Sequence, residues 1–216
     1  MTKNLVLAIL LFVSLGSVAD ATVVVHLDVS EVPELADWGN KAKELIEEWH
    51  QRTSNLIPTK GFDVPTEVWL KIRKSNRGIA GTSGARITVS CGWIQKHPED
   101  IGCVYHELVH VIQNYRRRVS GWLTEGIADY LRWAIYEGKS QDWFPFRDKP
   151  QGYRDSYQVA GGFFLWLESD RCPGIVNKLN TALRKRTYKD ESFFKEETGH
   201  TIDELWADYV KDRKKI

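Results

Sequence analysis

An α+β fold is predicted for this 216-residue chain, on three observations. β-Branched and alternating segments all lie before Ser90. Helical periodicity governs nearly everything after Pro98. No internal repeat, low-complexity segment or long linker separates the two regions, so strands first and helices second describe one domain. The expected architecture is a small N-terminal β-sheet with one helix, followed by a mainly helical C-terminal half. Composition agrees: 42% hydrophobic and 27% charged residues are ordinary for a soluble globular protein. The length supports one core and no second full domain. A formal charge of +1 gives no general attraction to nucleic acid or anionic membrane.

The N-terminus differs in kind from the rest. Lys3 precedes the unbroken apolar run Leu5 to Val13, and Ser14, Gly16 and Ser17 interrupt it before Ala19-Asp20-Ala21. This is the layout of a secretory signal peptide, cut after Ala21 or, second choice, after Ala19. A membrane-spanning helix needs about 20 apolar residues, far more than this run supplies, and no later stretch is long enough either. The expectation is therefore a signal at residues 1–21, a single domain at residues 22–216, secretion, and no membrane attachment after cleavage. Losing Lys3 and Asp20 leaves the charge at +1. In an oxidising compartment two of Cys91, Cys103 and Cys172 would pair. Cys91–Cys103 would clip the strand before the central helix to that helix's start and is preferred over Cys103–Cys172. None has zinc-knuckle spacing.

Along the domain, Thr22 to Val29 (TVVVHLDV) reads as a strand. Glu34 to His50 reads as a helix, with Leu35, Trp38, Ala42, Leu45, Ile46 and Trp49 at steps of three and four, and Pro33 just before it. Thr66 to Ile72 alternates as a second strand. Gly78, Gly81 and Gly84 make a flexible loop. Arg86 to Ser90 (RITVS) alternates again and is expected at a sheet edge, where an extended peptide can add by main-chain hydrogen bonds. Helices are expected at Ile101–Tyr115, Trp122–Tyr136, Tyr153–Glu168 and Gly174–Arg184, then at Ser192–Glu197 and Ile202–Lys211. Gln141 to Gly152 is the longest irregular stretch. The Arg116-Arg117-Arg118 run suits a solvated helix C-terminus.

The chemistry centres on His106-Glu107-Leu108-Val109-His110. Residues i and i+4 share one face of a helix, so two imidazoles there can bind one metal ion. Glu107 is turned away from that line and is free to take a proton from a water on the metal. Val104, Leu108, Val109, Val111 and Ile112 make the segment a buried helix. A catalytic zinc needs a third protein ligand and an open position. Glu125, on the helix opened by Ser120 and Gly121, follows after a short link and faces back toward the histidines. Gly126 and Ala128 are small enough to let these helices approach closely. Asp129, one turn past Glu125, is placed to accept the free N–H of a ligand histidine and fix its ring. His26, His50, His97 and His200 have no such company and read as structural or solvated.

The segments TSGARITVS, CVYHELVHVIQ, GWLTEGIADYLRW, GYRDSYQVAGGFFLWLE and IDELWADYVK, in this order, resemble the basic secretory protein family of plants and bacteria. The arrangement resembles the gluzincin peptidases, with HExxH on one helix and a glutamate ligand on the next, and that family is the closest match within their clan. The resemblance covers most of the mature chain. It implies a zincin-like fold and a secreted peptidase with Zn2+ on His106, His110 and Glu125, Glu107 as general base, and a peptide or protein substrate. In related zinc aminopeptidases a tyrosine assists from a helix that opens with Tyr and a small-residue stretch. Tyr157-Gln158-Val159-Ala160-Gly161-Gly162 looks like that opening, which makes Tyr157 the candidate for stabilising the oxyanion; Tyr153 is its competitor. A pI of about 7.7 departs from "basic", which bears on charge-based targeting rather than on the zinc site. A reading of another class is a secreted zinc-containing defence or binding module without proteolysis. The intact Glu107 opposes it, as does a ligand count of three where structural zinc prefers four. A third is a metal-dependent hydrolase of non-peptide substrates. No motif captures a free amino terminus, so an endopeptidase is preferred over an aminopeptidase, and a monomer is expected.

Overall fold

The β-branched N-terminal stretches form strands because each alternates a buried with an exposed side chain. A computed structural model describes residues 23–155, 157–190 and 192–215; the expected signal segment lies outside them. Strands β1 (Val24–Asp28), β2 (Glu67–Arg73), β3 (Ala80–Ser83) and β4 (Arg86–Ser90) form one sheet in the order β1-β2-β4-β3. The pairs β1–β2 and β2–β4 are parallel, and β3 runs antiparallel to β4 with Thr82 opposite Ile87. Val25, Val68, Leu70, Ile72, Ile87 and Val89 are buried, while Trp69, Lys71 and Thr88 between them are half-buried and Glu67, Arg73 and Arg86 at the strand ends are exposed. Parallel strands need a crossover. Helix α1 (Ala36–Leu56) supplies it between β1 and β2 and packs on β1.

Helix α2 (Cys91–Lys96) follows β4 directly, and α3 (Gly102–Gln113) packs on α1, β3 and β4. Helix α4 (Gly121–Asp129) continues as a π-helical segment, Tyr130–Tyr136. Helix α5 (Tyr157–Trp166) likewise ends in a π-helical segment, Leu167–Arg171. Helices α6 (Ile175–Lys185), α7 (Phe193–Thr198) and α8 (Ile202–Arg213) complete the helical half. The fold is α+β, with the small sheet first and the helices after it, as predicted. No helix among the described residues is long and apolar enough to cross a membrane.

Five expectations are corrected. The glycine loop contains a strand: Gly78 and Gly84 take left-handed φ values of 71° and 59° at turns flanking β3, and Gly81 lies inside it. Consequently Arg86–Ser90 is an interior strand, and the sheet edge beside α3 is β3. Helix α1 runs past His50 to Leu56 because Thr53, fully buried, continues its apolar face, with Glu48–Arg52 pairing on the outside. The expected Cys91–Cys103 bridge is not formed; all three cysteines are free. The Sγ of Cys91 donates to the Ser75 carbonyl and that of Cys103 to the Asp100 carbonyl. The segment expected as one helix from Tyr153 is broken too: Gly152–Asp155 is a short 3-10 turn, and α5 begins at Tyr157 with a left-handed φ of 47°.

Helices α4 and α5 are brought together by close packing. The Cβ of an alanine at Gly126 would lie 2.7 Å from Ala160 Cβ and 2.8 Å from Phe164 Cε2. Gly126 therefore does allow a close helix approach, but to α5 rather than to α3. Gly161 answers from α5, with a Cβ there 3.0 Å from the Tyr130 backbone nitrogen.

Candidate metal centre

Helix α3 presents His106 and His110 one turn apart, as the spacing requires, and α4 brings Glu125 against them. The donor atoms of the three residues all lie within 4.8 Å of one another. His106 Nε2 is 3.1 Å from Glu125 Oε2, and His110 Nε2 is 3.3 Å from the same oxygen. The two Nε2 atoms are themselves 3.1 Å apart, with the rings nearly perpendicular.

The far side of each ring is held. His106 Nδ1 lies 2.7 Å from Asp129 Oδ1, the contact expected of Asp129. His110 Nδ1 lies 2.7 Å from Gln113 Oε1, and the Gln113 amide nitrogen donates to the Thr124 carbonyl at 3.0 Å, tying α3 to α4. Both Nδ1 atoms therefore carry protons, which aims both Nε2 atoms at each other and at a carboxylate oxygen. With both rings neutral, acceptors so close would repel, so the cluster calls for a shared proton or a metal cation among them. Two imidazoles and one carboxylate are a ligand set suited to zinc with one position left open.

The electrostatics point the same way. Burial alone would push the His106 pKa down, but its hydrogen bonds to Asp129 and Glu125 and the nearby Glu107 carry it up to about 9. Burial would raise Glu125, yet the two histidines bring it down to about 2. The pocket favours positive charge. Glu107 is buried and makes no hydrogen bond to either histidine among the described residues. Its Oε2 instead accepts from the Thr82 hydroxyl of β3 at 2.7 Å.

These groups line a cleft of about 1300 Å³ together with Trp93, Trp133 and Tyr157. Tyr157 is 57% exposed, and its ring centroid is 6.4 Å from that of His106. Glu125, followed by burial, Asp129 and Glu107, raises its pKa, so the hydroxyl stays protonated. Tyr153 is 1% exposed, is no part of the cleft wall, and donates to Asp203 at 2.9 Å. Among the two tyrosines, only Tyr157 faces the site.

Thr82 and Gln113 escaped the sequence reading. Gln113 carried a signal, since i and i+3 are neighbours on a helix. Thr82 carried none, being distant in sequence and on an unrecognised strand. The Arg116–Arg118 run is exposed, with Arg117 at the cleft margin. Two other residues finish α3: Asn114 in a left-handed conformation and Arg184, whose guanidinium donates to the Ile112 and Gln113 carbonyls.

An α+β fold with a cleft built around a His-His-Glu triad defines a protein equipped to hold a metal ion. The sequence model of a family described as peptidase of plants and bacteria matches residues 36–209, and the chain belongs to that family. That span includes the triad, Glu107, Asp129 and Tyr157. No curated protein and no solved structure matches the chain.

Proposed function

We propose that this family member is a secreted zinc-dependent peptidase of gluzincin type. The observation that carries the reading is the three-donor cluster with a second carboxylate, Glu107, beside it in an open cleft and committed to none of the donors. Zinc held by His106, His110 and Glu125 would supply a Lewis acid that polarises a carbonyl and acidifies a coordinated water. Asp129 and Gln113 hold the two imidazoles with their Nε2 atoms turned inward. Glu107 accepts a proton from the attacking water and passes it to the leaving amine. Tyr157 donates its hydroxyl to the oxygen that gains charge. An extended peptide adds to the free side of β3, which takes over the role first expected of Arg86–Ser90. Cleavage of residues 1–21, a single monomeric domain at residues 22–216 and export belong to the same proposal and rest on the sequence pattern.

The test is a peptide-library digest by purified protein, untreated, chelated, and chelated then reloaded with zinc. Activity lost with chelator and restored by zinc supports the reading; cleavage indifferent to chelator refutes it. Glu107→Gln should retain zinc and lose hydrolysis, because an amide cannot take the proton. Tyr157→Phe should lower kcat by roughly 100-fold with little change in KM, as expected for a lost oxyanion donor. An unaltered kcat would remove Tyr157 from the mechanism.

A further inference from the structure

Glu107 can act as a base only if its carboxylate is held in place. A glutamate has three rotatable side-chain bonds, and its freedom must be removed for its carboxylate to meet a water at one place. Neighbouring His106 cannot do this, since its Nδ1 is occupied by Asp129 and its Nε2 faces Glu125. The group that does touch the carboxylate is Thr82. Its hydroxyl is 2.7 Å from Glu107 Oε2 and also 3.1 Å from the Glu107 carbonyl oxygen. A hydroxyl has one proton, and the shorter contact is to the charged oxygen, where hydrogen bonds are stronger. Threonine is β-branched and stiff at χ1, and its backbone is fixed by pairing of β3 with β4. The donor is thus rigid where the acceptor is flexible.

We propose that Thr82 is the positioning residue for Glu107: it pins Oε2 and leaves Oε1 as the oxygen presented to the attacking water. β3 is also the terminal strand of the sheet, with no partner on its other side among the described residues. A peptide that pairs with that free side and the base that acts on it are then both referenced to one four-residue strand. This inference rests on the peptidase reading for its catalytic meaning, but the contact itself can be tested without it.

The two variants are Thr82→Val, which keeps the shape and removes the hydroxyl, and Thr82→Ser, which keeps the hydroxyl. In metal-free protein labelled at the glutamate carboxyl carbon, the Glu107 resonance is identified by its loss in Glu107→Gln. That resonance should move in Thr82→Val and stay near its original position in Thr82→Ser. An unmoved resonance in Thr82→Val overturns the proposal, whatever the protein's activity. Where zinc-dependent cleavage is observed, Thr82→Val should lower kcat by about tenfold or more at unchanged KM and zinc content, with Thr82→Ser restoring most of it. In a Glu107→Gln background the Thr82→Val change should have no additional effect. A KM effect alone, or an equal kcat loss with and without Glu107, would reduce Thr82 to a structural role. Absence of any cleavage by the unaltered protein would count against the peptidase reading and leave the resonance test to decide on Thr82.

Discussion

Without a metal, the cluster should betray itself by its response to pH. In the folded chain His106 has a pKa of about 9 against an ordinary 6.5, because two carboxylates hold its proton more strongly than burial opposes it. A raised folded pKa contributes stability that is complete below the unfolded value and is lost as pH rises through the folded one. The window is therefore pH 6.5 to 9. At about 1.4 kcal/mol per pH unit, the loss across it is about 3 kcal/mol. The depressed Glu125 describes the same ion pair from its other side, so it is not added. The assay is urea denaturation of chelated protein at pH 6 and pH 10. Asp129→Asn is the control: with one of the two carboxylates gone, its loss over the same interval should be clearly smaller. Zinc must displace the His106 proton, so apparent zinc affinity should strengthen by up to tenfold per pH unit between pH 7 and 9. Loaded protein should not show the loss seen in chelated protein. Chelated protein as stable at pH 10 as at pH 6, with zinc affinity flat over that range, would refute the charged His106–Asp129–Glu125 arrangement.

One further change tests the same site through its outer contacts. Asp129→Ala removes the acceptor on His106 Nδ1, 2.7 Å away, and should weaken zinc binding by about 10–100-fold in a competition titration against a chromophoric chelator. The loss should exceed any change in the far-UV spectrum, and an unchanged titration would show that the ring is held by packing alone.

What was legible in the sequence was what local geometry determines. His106 and His110 face the same way because a helix has 3.6 residues per turn, and no tertiary information is needed to see it. Glu125 and Asp129 were legible because a short connection forces α4 back toward α3. Gly126 was legible in kind and misread in partner: a small residue signals a close approach, but only the fold decides that Ala160 and Phe164 do the approaching. β3 was hidden because Ala80-Gly81-Thr82-Ser83 has no large apolar residue to alternate, as suits an edge strand with one side free. With β3 hidden, the edge was misassigned to Arg86–Ser90 and Thr82 was out of view. The cysteine pairing was inferred from the compartment, and a compartment says nothing of where two Sγ atoms lie.

The two ends of one helix, α3, decide where the donor groups sit. At its start, Arg132 from the segment after α4 bridges Asp100 at 2.5 Å and Glu137 at 3.1 Å, and Asp100 also accepts from the Cys103 backbone N–H. At its end, the buried Arg184 of α6 donates to the Ile112 and Gln113 carbonyls and, at 2.8 Å, to the Ile57 carbonyl beyond α1. A cation is favourable there, where unpaired helix carbonyls concentrate negative charge. Burial lowers the Arg184 pKa to about 10, which still leaves it charged at neutral pH. Each arginine thus joins α3 to a segment remote in sequence, and the histidines lie between the two clamps. The two clamps fix the helix, and Asp129 and Gln113 fix the two rings carried on it, so the donor atoms are preorganised by contacts on the far side of each imidazole.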